Sequence, residues 1–160
     1  MRPFSHPDLR TQAEALQTAL EIGAASVDDV VTWARGVVSK TEHPHWSICE
    51  LAICSGKYPP DLKEFLTEVP GSLDPLQARA IVLQMLSDSL REYPDRADQI
   101  AQSLYHLASG SDLEDSPLRA IAWWAWDALD LADAGLIAET RTDILLKMQA
   151  AFDEAVGPEG

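Results

Sequence analysis

A chain of 160 residues with 46% apolar residues falls within the range of a single domain, which at this size buries about two thirds of its unfolded surface. Twelve Lys and Arg against 26 Asp and Glu leave a net charge of −14 and a pI near 4.4, so nucleic-acid phosphates and anionic lipid are repelled and a basic protein is attracted. No segment supplies the roughly 18 uninterrupted apolar residues of a membrane span, and two cysteines are no disulfide framework, so a soluble cytosolic protein with reduced thiols is expected.

Taken in chain order, the sequence reads as helix after helix. Residues 7–22 carry Leu9, Ala13, Leu16 and Leu20 at helical spacing, with Gly23 as a left-handed stop. Ser26 caps a second helix with Asp28 and Asp29 in its first turn, an apolar face from Val27 to Val38, and an end near Lys40. Pro44 suits the first turn of a third helix that ends at Gly56, and Pro60 that of a short fourth. The fifth, residues 75–92, places Leu76, Ala78, Ile81, Val82, Leu83, Met85, Leu86 and Leu90 over more than half its circumference, so it wants cover on several sides and is expected at the centre.

A sixth helix over residues 95–108 turns Ala97, Ile100, Ala101, Leu104 and Leu107 inward and closes at Gly110. Ser116 and Pro117 open a seventh that runs to Gly135, and an eighth carries Ile144, Leu145, Met148 and Phe152 before the tail "GPEG", residues 157–160, expected to be flexible. No run alternates with period two over strand length. The expectation is an all-α fold, a single domain over residues 1–160. Its seven or eight helices would form a bundle, paired as antiparallel hairpins through short Gly/Pro turns.

The stretch "HPHWSICELAICSG", residues 43–56, packs two histidines and two cysteines together and raises the question of a metal or thiol site. At 100° per residue Cys49 joins Trp46, Ala52 and Ile53 on one arc, whereas Cys54 lies about 140° away near Ser47 and Glu50. The thiols thus face apart, with Cys49 expected to be buried and Cys54 nearer the surface. Their spacing to His43 and His45 matches no paired zinc knuckle. The chain also has no phosphate loop, no His-Glu-x-x-His pair, no nucleophile elbow and no calcium loop. No catalytic residue, cofactor or metal is expected, and His106 reads as a solvated helix histidine.

The informative stretch is "LRAIAWWAWDALDLADAG", residues 118–135. On a helical wheel Leu118, Ile121, Trp124, Ala125, Ala128, Leu131 and Ala132 share the face expected to meet the core. Trp123 and Trp126 project from the opposite face with Asp127, Asp130 and Asp133. Two readings are open. The rings are covered by a neighbouring helix or the carboxy-terminal segment, or they anchor a basic partner that the carboxylates steer toward them. The acidic loop before this helix, with Asp112, Glu114 and Asp115, is the next candidate for a partner surface.

Residues 19–54, "ALEIGAASVDDVVTWARGVVSKTEHPHWSICELAIC", carry a Leu/Ile-Gly, Ser-acid-acid-Val-Val, Trp-Ala opening, then an acid, a proline and an aromatic before a Leu-Ala helix. This pattern resembles the amino-terminal half of small bacterial helical immunity proteins of polymorphic-toxin and contact-dependent inhibition systems. Arg35 stands where such families usually carry an acid, and no functional residue carries over. The resemblance implies a stoichiometric, non-enzymatic binder that neutralises a toxin encoded beside it. A helical scaffold or adapter that holds other proteins together would share the same helices and acidity.

Overall fold

A computed structural model describes residues 7–54, 59–110 and 117–156. The described residues form eight α-helices and one 3-10 turn, without a strand: α1 (Leu9–Ile22), α2 (Val27–Lys40), α3 (Trp46–Ala52), α4 (Pro59–Thr67), α5 (Pro75–Glu92), α6 (Ala97–Gly110), α7 (Pro117–Asp133) and α8 (Arg141–Val156), the turn spanning Pro94–Arg96. The all-α expectation is met. Contacts gather into two compact units, Met1–Val82 and Leu83–Gly160, and the division falls inside α5.

In the first unit α1 packs on α4, α2 on α3, and α3 on α4. Its buried side chains include Leu16, Val30, Ile48, Leu51, Leu62, Leu66 and Val69. The helix signals read from the sequence act as real caps. Ser26 and Asp29 form a reciprocal capping box, and Gly23 takes a left-handed φ of 79° while its N–H closes α1 onto Ala19 and Leu20.

A latch that no local pattern announces ties the start of α1 to the chain between α4 and α5. The Arg10 guanidinium donates to the carbonyls of Leu66 at 2.8 Å and Thr67 at 2.6 Å in the last turn of α4, and to that of Val69 just beyond it at 3.1 Å. The fully buried Thr11 hydroxyl donates to the Ser72 carbonyl and accepts from the Asp74 N–H, both at 3.0 Å. Gly71, at φ 136°, lies against the Asp8 carboxylate that caps α1, where a Cβ would collide with it.

The orientation of α3 departs from the expectation. Ser47, Ile48, Leu51 and Cys54 are buried, whereas Trp46, Cys49 and Ile53 are exposed, so the expected order of the two cysteines is reversed. The helix is also shorter, with His45 rather than Pro44 at its threshold and Ala52 as its last residue. The cause is polar satisfaction and length. The His45 Nδ1 accepts from the Ser47 N–H at 3.3 Å and sits 2.8 Å from its hydroxyl, so Ser47 enters the core with its hydrogen bonds made. Cys54 lies within about 20° of Ser47 on the helix wheel, so the rotation that buries Ser47 and Leu51 carries Cys54 inward with them.

In the second unit α7 packs against both α6 and α8. The buried residues of α7 are Leu118, Ala122, Ala125, Ala128 and Leu129, an arc rotated by about 60° from the expected one. Ile121 and Trp124 lie at its edge and Leu131 is exposed. Three alanines at the contact let two helices approach on adjacent sides, and the bulkier Trp124 moves to the margin, where the Lys147 ammonium sits 5.1 Å from its ring.

Gly135, at φ 71°, reverses the chain, with the Leu136 N–H returning to the Leu131 carbonyl at 2.8 Å. Thr140 and Asp143 form the same reciprocal cap at α8 as Ser26 and Asp29 at α2, and the Thr140 N–H bond holds the Asp143 carboxyl below its usual pKa. In the carboxy-terminal half of α5, Leu83, Leu86 and Leu90 are buried. In the amino-terminal half Ala78 and Val82 are buried, Ile81 is half-buried, and Leu76 stands in solvent. Gly110, expected just beyond α6, is its last residue.

Leu86→Ala should cost about 2–5 kcal/mol in chemical denaturation, the range for emptying a filled leucine site; a cost below about 1 kcal/mol would place the core elsewhere. A thiol reagent under native conditions should modify Cys49 at once and Cys54 only after denaturant is added. Simultaneous reaction of both thiols would contradict the orientation of α3.

Candidate functional site

The aromatic and acidic face of α7 is built from the rotation just described. On the helix wheel Trp123, Trp126, Asp127, Asp130 and Asp133 occupy an arc of about 120°. Turning the core arc toward that side brings Trp126 to the margin of the core and leaves Trp123 further out. Trp126 is accordingly half-buried, while Trp123 remains 46% exposed.

Tyr105 of α6 meets both rings edge-on, with centroids 5.2 Å from Trp123 and 5.5 Å from Trp126. His106 completes the cluster at 6.2 Å from Trp126 and 5.8 Å from Tyr105. Edge-to-face pairs of this kind add about 0.5–1.5 kcal/mol each beyond burial. The neighbouring helix therefore covers one tryptophan in part and steadies the other without hiding it.

The carboxylates divide in a similar way. Asp127 and Asp130 are exposed on α7. Asp133 is exposed too, yet its carboxylate accepts from Arg141 at 2.9 Å, and the same guanidinium binds Asp98 of α6. Arg141 thereby joins α6, α7 and α8 through side chains alone. Its pKa is raised, first by the Asp98 hydrogen bond and against the partial burial that lowers it. Asp133 is thus committed to a structural ion pair, and Arg119, exposed one turn before Trp123, adds a positive charge to the face. Asp112, Glu114 and Asp115 lie outside the described residues, as do residues 157–160 and Gly56.

Of the five residues taken from α7, the structure brings Trp123, Trp126, Asp127 and Asp130 together as a surface and diverts Asp133. Tyr105, His106 and Arg141 belong to the site and were missed. Nothing local marks them, because their roles depend on how α6 and α8 register against α7. By helical spacing Tyr105 borders the apolar arc of α6, while His106 lies opposite it and is exposed.

The region of His43 and His45 has a different character. Both line a recess of about 300 Å³ in the first unit, beside Pro44, Val37 and Ile48, while Cys49 faces out. The adjoining groove of about 430 Å³ between α1 and α2 is bordered by Trp33, whose indole N–H donates to Gln12 at 2.8 Å. Among the described residues no group of three or more His, Cys, Asp or Glu is placed to hold a metal ion, and no helix is long and apolar enough to cross a membrane. No family model, curated protein or solved structure matches this chain.

The two tryptophans should separate in stability measurements. Trp126→Ala, which empties a half-buried site against Tyr105, should cost about 1–3 kcal/mol in urea denaturation, and Trp123→Ala less than about 1 kcal/mol. The reverse order would place Trp123, not Trp126, at the α6–α7 contact.

Proposed function

We propose that this protein is a non-enzymatic protein-binding module, an immunity protein that neutralises a cognate basic toxin in the cytosol by stoichiometric binding. The observation that carries the reading is Trp123, a large rigid ring half in solvent, steadied by Tyr105 and set beside the exposed carboxylates of Asp127 and Asp130. A preorganised aromatic contributes much buried area at small entropic cost when a partner covers it. The surrounding charge accelerates encounter with a cation-rich surface, and a net charge of −14 extends that attraction over the whole chain. Toxin domains that act on nucleic acid are commonly basic, so an acidic partner of this kind competes for the surface that meets phosphate. The resemblance of residues 19–54 to immunity proteins supports the same reading.

A second reading, a helical scaffold or adapter, draws support from exposed Trp46 on α3, in the other unit from Trp123. A toxin-like reading frame immediately beside the gene favours immunity, and a solitary gene favours the scaffold.

With the adjacent gene product as partner, Trp123→Ala should weaken the complex by about 2 kcal/mol or more while leaving stability nearly unchanged, as a binding anchor does. Asp127→Asn with Asp130→Asn should mainly slow association, and the loss should shrink at high salt, where charges beyond about 8–10 Å are already screened near physiological ionic strength. Unchanged affinity in Trp123→Ala would remove this face from the interface.

A further inference from the structure

The outward face of α3 carries apolar groups that nothing in the described residues covers. Relative to the buried arc of Ser47, Ile48 and Leu51, α3 and its cap residue Ile53 turn Trp46, Cys49, Glu50 and Ile53 to solvent at i, i+3, i+4 and i+7, with Trp46 54% and Ile53 72% exposed. Phe65 of α4 meets the Trp46 ring edge-on at 6.2 Å, so the apolar surface runs from one helix to the next. Single exposed hydrophobes are ordinary; a tryptophan, an isoleucine and a phenylalanine on adjoining helices make a patch of the kind that marks an interaction site.

Charge identifies the class of occupant. Glu50 lies one turn from Trp46 on α3, and Asp61 and Glu64 lie one turn before and next to Phe65 on α4; all three are exposed and outnumber the exposed Arg35 of α2, which donates to the Ala52 carbonyl at 3.0 Å beside Ile53. Lys63, on the same stretch of α4, is engaged by Glu21 of α1 at 3.6 Å. A second copy of this chain would bring another −14 of charge to that rim and be repelled. A cationic helix with one apolar stripe satisfies both features, as amphipathic helices do when they lay their anchors on an apolar surface.

We infer that the face formed by Trp46, Ile53 and Phe65 docks a basic amphipathic helix of another protein, whose Lys or Arg residues meet Glu50, Asp61 and Glu64. This surface belongs to the first unit and does not depend on the Trp123 face of the second.

Cys49 lies within the face and is exposed while Cys54 is buried, so the rate of Cys49 alkylation by iodoacetamide reports occupancy. The probe is an amphipathic helical peptide of about 18 residues of Lys and Leu, compared with a scrambled peptide of the same composition and a Glu/Leu counterpart. The Lys/Leu peptide should slow alkylation about tenfold at saturation, and Trp46→Ala or Ile53→Ser should raise the concentration required by about tenfold or more. Trp123→Ala should be protected like the parent protein, which separates this face from the proposed toxin site. Glu50→Gln with Glu64→Gln should weaken protection at low salt and differ less at high salt. The inference is overturned by no protection, by equal protection from the scrambled peptide, or by full protection of both Trp46→Ala and Ile53→Ser. It is also overturned if Cys49 is already slow to react in the protein alone, with a dimer in sedimentation, since a second copy would then hold the face.

Discussion

The second unit depends on one constraint: α7 must bury itself against α6 and α8 at once. A helix with two partners on adjacent sides needs a wide arc of small residues, and Ala122, Ala125 and Ala128 supply it between Leu118 and Leu129. That choice displaces the large rings. Trp124 goes to the margin under Lys147, Trp126 to the edge beside Tyr105, and Trp123 into solvent. The surface proposed to meet a partner is what remains of α7 once its two neighbours are seated, so the same packing produces both stability and the exposed anchor.

The acidity of the chain is organised rather than uniform. Arg141 takes Asp98 and Asp133, and Arg91 takes Asp153, so several carboxylates hold helices together in the second unit. Arg10 binds Glu14 while it also caps α4. Such pairs, partly exposed to water, contribute modestly to stability. Their larger effect is on what is left over. With 12 cations among 26 acids the surface field stays negative, and Asp127, Asp130, Glu50 and Glu64 are among the exposed carboxylates that carry it.

Both candidate surfaces share a design in which an exposed tryptophan is braced by a ring from the next helix: Tyr105 for Trp123, and Phe65 for Trp46. An edge-on neighbour limits the rotamers of the exposed ring, which lowers the entropy lost when a partner covers it.

The sequence by itself determined the helical class, most helix boundaries and their caps, because these depend on neighbours within one or two turns. Ser26 with Asp29, Gly23, Gly135 and Pro117 were legible for that reason. The periodicity of the long α6 likewise identified Ile100, Leu104 and Leu107 as core. Periodicity failed where a helix was too short or its arc too broad to define a single inward direction. In seven-residue α3 a hydrogen-bonded Ser47 displaced Trp46 and Cys49 from the core, and in α7 small side chains outcompeted large ones for the inner positions. The tertiary structure alone decided which acids became ion pairs, which tryptophan stayed in water, and that Arg10 and Thr11 would hold the chain near residue 70. Those outcomes depend on groups more than forty residues apart in several cases, brought together only when their helices pack, and no local spacing encodes that distance.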